Sequence, residues 1–284
     1  MIINQLCDAF NGKFPLMIPL EVNDTASPDI QRRGHQILNE FVSGCRDIFC
    51  TLAKTAQKFD IGVAGTQDLL DESRIVPELC SLPYADSIFE VQLLSDDTTN
   101  IGHVILFAGQ DRDISEIADK ETIWKCSGFY KAKGHDRWDM LPYMGEVIRN
   151  EATGAAFGVS VLDIFDHEEF SIESPLRHTP SEELKRYWKF VMLGAVYQVV
   201  SFLHLLSCSN IKSEKVTPNQ KQIRAKIKHG KCPPFEYHIL KLGNDSDTYR
   251  SEIKTLHHAS PRFHFRRGHI RRLSNDKVTC RMIR

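Results

Sequence analysis

The sequence predicts an α+β chain: an antiparallel sheet packed on an N-terminal helix and on a long buried apolar helix, with a basic C-terminal β-hairpin. Three observations carry this expectation. They are a helix start at Ser27, a block of strand-like runs between residues 79 and 170, and an apolar stretch over 190–208. With 284 residues, 42% of them apolar and 26% charged, the chain has an ordinary globular composition and enough apolar surface for a large core.

In chain order, Ser27-Pro28-Asp29 supplies an N-cap residue, a proline at the first helical position and an acid in the first turn. Ile30, Ile37, Leu38, Phe41, Val42, Cys45, Ile48, Phe49 and Leu52 follow at helical spacing, predicting a helix that runs to about Phe59. Arg32, Arg33 and His35 read as its solvated surface. From residue 79 the pattern changes to short β-branched and aromatic runs at 87–94, 101–107, 122–131 and 155–165, the signature of an antiparallel sheet. Asp96-Asp97-Thr98-Thr99-Asn100 has the composition of a hairpin loop, and Gly102, Gly109 and Gly128 mark expected bends.

Thr179-Pro180-Ser181-Glu182 reads as a second helix start, with Thr179 as cap. The helix it opens, through Trp188, Val191, Met192, Ala195, Val199, Phe202, Leu203 and Leu206, is apolar on nearly all sides and belongs in a core. The stretch approaches membrane length. Gln198, Ser201 and His204 punctuate it, so a buried helix is the expectation and a membrane is not among the expected partners. Residues 209–232 carry Lys212, Lys215, Lys221, Lys226, Lys228 and Lys231 and read as a mobile arm closed by Pro233-Pro234. A strand is expected over 235–242, then a short helix or extended link over 249–256.

Charge divides the chain. Residues 212–284 hold 18 Lys and Arg against 6 Asp and Glu, a local +12, and residues 1–211 hold 18 against 31, or −13, which together give the net −1. The division suggests an acidic α+β body over 1–211 and a basic C-terminal region over 212–284. A basic region of this kind meets nucleic acid, an acidic partner surface, or the acidic part of its own chain.

The 8 cysteines lack any Cys-x-x-Cys pair or dense disulfide spacing, which points to a reducing cytoplasm. Cys45 and Cys50, five apart, fall on different helix faces, so a zinc pair is not expected, and most of the cysteines read as small apolar core residues. The start Met1-Ile2-Ile3-Asn4-Gln5 lacks the features of a signal peptide.

No dinucleotide fingerprint, Walker loop, His-Glu-x-x-His or Gly-x-Ser-x-Gly element occurs. Asp111, Asp113, Glu116, Asp119 and Glu121 lack the glycine and terminal Glu of a calcium loop and read as solvated acids. His257, His258, His264 and His269 have no cysteine or carboxylate at ligand spacing, and arginines around the last two would repel a divalent ion. No metal or cofactor is therefore expected.

The densest signal is Arg262-Phe263-His264-Phe265-Arg266-Arg267-Gly268-His269-Ile270-Arg271-Arg272, with five arginines and two histidines in 11 residues. At period two, Arg262, His264 and Arg266 alternate with Phe263 and Phe265, so a strand can present a basic face and anchor an aromatic one. Gly268 permits a bulge, Ser274-Asn275-Asp276-Lys277 is a turn composition, and 278–283 is a return strand. Edge strands carry basic residues to prevent association, but arginine at this density suits bidentate binding of phosphate or carboxylate. Arg262, His264, Arg266, Arg267, Gly268, His269, Arg271 and Arg272 form the candidate binding set. His264 and His269 are also the only catalytic candidates: like charge nearby would hold an imidazole neutral, ready for acid–base work on RNA.

At Arg266-Arg267-Gly268-His269 the chain resembles the type V-A anti-CRISPR inhibitors that act on synthesis of the CRISPR effector nuclease, carried by phages and plasmids. The resemblance is one of motif and order. Leu82-Pro83 precedes a strand at 88–94, an apolar helix spans 187–208, Phe235-Glu236-Tyr237-His238-Ile239 is an aromatic strand, and the Arg-Arg-Gly-His motif follows. Ile270 stands where the family has an aromatic residue, and Cys280-Arg281-Met282-Ile283-Arg284 where it has a Trp- and Val-rich strand. The family's proposed action is recognition of the effector's N-terminal part as it leaves the ribosome, with loss of its messenger RNA. The resemblance implies an acidic body that holds a host polypeptide in its nascent or folded form, and a basic hairpin that meets RNA or ribosome in the bacterial cytoplasm. Arg262, Arg266, Arg267, Arg271 and Arg272 would be the phosphate contacts, with Phe263 and Phe265 as core anchors or stacking platforms. Two other readings stand beside it: a histidine-dependent ribonuclease acting on messenger RNA, and an accessory protein whose basic tail docks on its own acidic body.

Overall fold

The computed structural model of the chain describes residues 2–62, 79–94, 100–109, 120–150, 156–163, 175–178, 181–208, 211–242, 266–272 and 278–283. Its first part contains α1 (Ile3–Phe10), β1 (Leu16–Met17), β2 (Leu20–Val22), α2 (Pro28–Thr55) and β3 (Gln57–Gly62). The strand-rich middle follows with β4 (Asp86–Leu94), β5 (Asn100–Gly109), β6 (Lys120–Ala132), β7 (Trp138–Met140), β8 (Tyr143–Asn150), β9 (Ala156–Asp163) and β10 (Leu176–His178). The last part holds α3 (Glu182–Leu206), β11 (Ile211–Val216), α4 (Gln220–Lys228), β12 (Tyr237–Leu242), β13 (Arg266–Arg272) and β14 (Val278–Ile283).

The fold is α+β, built on one sheet of ten strands with the path β1-β7-β6-β5-β4-β3-β12-β11 and with β8 and β9 branching from β6. Most ladders are antiparallel; β1–β7, β3–β4 and β12–β3 are parallel. Alternation explains why helices cover both faces. Along β4 and β5, Phe89, Val91, Leu93, Val104 and Leu106 enter a core with Trp188, Val191, Met192, Ala195 and Val199 of α3. The intervening Ile88, Ile105 and Phe107 enter a second core with Ile3 and Leu6 of α1 and Phe49 and Ala53 of α2. Trp124, Trp138 and Trp188 are fully buried, each contributing roughly 3 kcal/mol of apolar transfer. Trp124 donates its indole N–H to the Cys80 carbonyl at 2.7 Å. The Tyr143 hydroxyl, donating to the Lys185 carbonyl at 3.0 Å, docks the first turn of α3 on the sheet.

Among the described residues, α3 is the one helix long and apolar enough to cross a membrane, and 61% of its most apolar window is buried inside the protein. Its buried residues include Gln198, Ser201 and His204, which a core can satisfy and a lipid face would not.

Local chemistry corrects several expectations. The helix that opens at Ser27 stops at Thr55, before the expected Phe59, because Gln57–Gly62 alternates: Phe59 and Ile61 enter the α3 core as a strand. Ser27 occupies the cap position without a side-chain bond; instead Gln31 donates to the Asp24 and Ala26 carbonyls at 3.0 and 2.9 Å. The cap of α3 is Ser181, whose hydroxyl accepts the Leu184 N–H at 3.3 Å, and Thr179 lies outside the described residues. Gly102 adjoins a register shift and Gly109 ends β5, but Gly128 sits inside β6. There a Cβ would stand 2.8 Å from Leu106 Cδ2, so close approach, not a bend, excludes a side chain. The expected mobile arm over 209–232 contains an ordered strand and helix, β11 and α4. The Asp96–Asn100 loop, Asp111, Asp113, Glu116 and Asp119, and the segment over 249–256 fall outside the described residues, apart from Asn100 at the start of β5.

Candidate interface for an anionic partner

Residues 211–242, which composition assigns to the basic region, extend the edge of the large sheet. β11 and β12 pair antiparallel from Ile211↔Leu242 to Val216↔Tyr237, and β12 joins β3 at His238↔Phe59. The ribbon neutralises two of its three lysines: Lys215 meets Glu236 at 2.5 Å, and Lys241 pairs with Glu214. Lys215 also holds the Glu236 carboxyl below its usual range, while burial and the Lys215 charge lower the His238 imidazole.

Between those strands stands α4, whose boundaries follow from side-chain and turn chemistry. The Asn219 side chain accepts the Lys221 N–H at 2.9 Å and satisfies one open donor of the first turn. At the other end Gly230 adopts φ 64°, and the Gly230 and Lys231 N–H groups return to the Ile227 and Lys226 carbonyls, both at 2.9 Å. This is a Schellman closure, which needs the left-handed conformation that glycine adopts without strain.

No residue of α4 is buried. Lys221, Arg224 and Lys228 are spaced i, i+3, i+7 and form one stripe, with Lys226 half-buried beside it and Ile227 59% exposed. Among the described residues none of Lys221, Arg224, Lys226 and Lys228 has an acid within 4.0 Å, in contrast to the paired lysines of the ribbon. The base of this arm is fastened to the body. Cys232 donates its backbone N–H to Asp8 Oδ1 at 2.8 Å, Lys231 Nζ lies 5.9 Å from the Phe14 ring centroid, and Lys58 Nζ lies 5.0 Å from that of Phe235.

The basic terminal strand forms the hairpin its pattern indicates. β13 and β14 form a separate two-stranded sheet with His269↔Arg281, Ile270↔Cys280, Arg271↔Thr279 and Arg272↔Val278 in register. Arg266 pairs with Ile283, and the register shifts between Arg266 and His269, so Arg267 and Gly268 occupy the irregularity. Arg262, Phe263, His264 and Phe265 lie outside the described residues, as do His257, His258 and the turn over 274–277.

Compared with protein-family models, with curated proteins and with solved structures, the chain has no match. Its chemistry is therefore read from these residues. Among the described residues no set of three His, Cys, Asp or Glu side chains is arranged to hold a metal ion. A groove beside α2, lined by Ile48, Leu52, Ile88 and Phe107, has Asp86 as its one charged lining residue and no titratable pair for acid–base chemistry.

Sequence reading named the lysines of this arm but missed α4 and Arg224. The available signals were Pro218-Asn219 as a start, Gly230 as a stop, and Ile223 and Ile227 four apart.

Proposed function

We propose that this chain is a non-enzymatic RNA-binding protein of the counter-defence, anti-CRISPR-like kind, in which the basic C-terminal region grips phosphates and the acidic body receives a host effector polypeptide. The observation that carries the RNA reading is the α4 stripe: Lys221, Arg224 and Lys228 stand exposed on a helix closed at both ends, without acidic partners among the described residues. A basic segment docked on its own body would find acidic partners there, as Lys215 and Lys241 find Glu236 and Glu214 within the ribbon. An exposed cationic stripe binds phosphates and releases their counterions. Arg266, Arg267, Arg271 and Arg272 on β13 supply a second set of cations, with Gly268 and His269 between them and Arg262 and His264 just ahead in sequence. The counter-defence role rests on the order of motifs and on Arg266-Arg267-Gly268-His269.

The test is binding and integrity of a labelled single-stranded RNA across a salt series with a chelator present. Wild type should bind with steep salt dependence and leave the RNA intact. Lys221→Ala/Arg224→Ala/Lys228→Ala should lower the slope of log affinity against log salt by about 2, and Arg266→Ala/Arg267→Ala by about 1. Absence of binding at low salt would sink the RNA reading, and cleavage lost in His269→Ala would replace it with the ribonuclease.

A further inference from the structure

Among the described residues the large sheet has three open edges, and they are not built alike. β1 is two residues long and offers almost no ladder. β11, outermost beyond β12, reads Ile211-Lys212-Ser213-Glu214-Lys215-Val216, with its four central residues exposed and three of them charged. A short edge, or one carrying lysines, keeps its open row of N–H and C=O groups from pairing with another chain.

β9 carries neither device. It is eight residues long and, among the described residues, pairs with β8 alone. Its ladder runs from Tyr143↔Asp163 to Asn150↔Ala156 without a register shift, so no bulge turns the far edge away. From Ala156 to Leu162 it contains no charged residue and no proline. Val159 and Val161 pack half-buried against the α3 core and hold the strand in place. Leu162 is 43% exposed.

We infer that β9 is the contact for a second copy of this chain, paired antiparallel, edge to edge, about a two-fold axis at Val159. Charge favours this occupant. An uncharged edge suits a strand equally free of charge, and the β9 of another copy is one. Centred on Val159, the pairing sets Leu162 opposite Ala156, Val161 opposite Phe157 and Ser160 opposite Gly158, so no charged residue stands opposite another. The net charge of −1 leaves two copies with little mutual repulsion near neutral pH. Pairing over Ala156–Leu162 forms about six to eight main-chain hydrogen bonds, within the range of a specific interface. The contact is isologous: each copy uses the same strand, both edges are consumed, and assembly stops at two.

Sedimentation equilibrium of the full chain with a reductant present, over about 1 to 100 µM, tests this. The mass should climb from one chain to two and no further. It should be unchanged by added salt, since no ion pair carries the contact, whereas docking of a basic C-terminal region on the acidic body of a neighbour would be screened. Leu162→Lys gives the edge the charge it lacks and should weaken association roughly tenfold. Ile48→Lys alters a more exposed apolar residue, 59% accessible on α2 beside β4 and β5, and should leave association as it is. Amide exchange of wild type needs no variant: protection over 156–162 should rise severalfold from the lowest concentration to the highest, with β11 constant. A single chain at every concentration, growth past two copies, a dimer lost in salt or in Ile48→Lys, or exchange in β9 that ignores concentration overturns the proposal.

Discussion

Cys232 gives its backbone N–H to the Asp8 carboxylate at 2.8 Å, so the first helix holds the base of the basic arm from 224 positions away. Asp8 is 1% exposed and also receives Lys13 Nζ at 3.3 Å. Its place in α1 therefore couples the N-terminal helix to the edge ribbon that carries α4.

Asp8→Ala should destabilise the protein by about 2 kcal/mol, because it strands the Cys232 N–H and removes the partner of Lys13. Urea unfolding would show this as a lower midpoint at an unchanged slope. Asp8→Asn keeps an acceptor and should recover part of the loss. An unchanged midpoint in the alanine variant would mean that the arm is not anchored there.

Glu90 should make stability fall as the pH rises from about 4.5 to 7. Burial raises its carboxyl from 4.5 to about 7, against the lowering effects of the terminal amino group and the Ile2 N–H it accepts; nearby Asp60 adds to the rise. The folded state thus holds this proton more tightly than the unfolded chain. The contribution is fully present below pH 4.5 and is lost as the pH passes the folded value, a change of about 3 kcal/mol. His103, with Nδ1 4.0 Å from Glu90 Oε1, is itself lowered by burial and so offers little charge to rescue the carboxylate above neutrality. Unfolding free energies at pH 5 and pH 8 should differ more in wild type than in Glu90→Gln; equal differences would remove Glu90 as the cause.

Much of this architecture is legible in the sequence where local chemistry and tertiary packing agree. The Ser27-Pro28 start, the alternation through Ile88 to Leu93, the all-apolar surface of α3 and the Arg-rich hairpin strand each express one element in consecutive residues. β3 was hidden because Ala56-Gln57 offers no glycine or proline stop, and its two core residues, Phe59 and Ile61, also fit the end of a helix pattern. β8 was hidden by Gly145, whose missing Cβ would stand 2.8 Å from Val196 Cγ2 of α3, a requirement of packing and not of local preference. The inclusion of Cys7, Cys50 and Cys232 in one apolar cluster has no local signature, since it depends on how α1, α2 and the arm close on the sheet.

Gly230→Ala separates the helical form of α4 from its charge. The position has φ 64°, where a Cβ meets no other atom within 4 Å, so the substitution costs about 1 kcal/mol through backbone strain and creates no clash. That cost falls on a helix of 9 residues with no buried side chain, one too short to persist without its end closures. The last turn should therefore fray while the sheet and both cores stay intact. Amide exchange should quicken at Gly230 and Lys231, whose N–H groups close the helix, with protection in β4 and β5 unchanged. If α4 presents its stripe as a helix, RNA affinity should drop severalfold in this variant although no charge is lost. Unchanged affinity would show that the cations act as a loose cluster, with the hairpin carrying the geometry of binding.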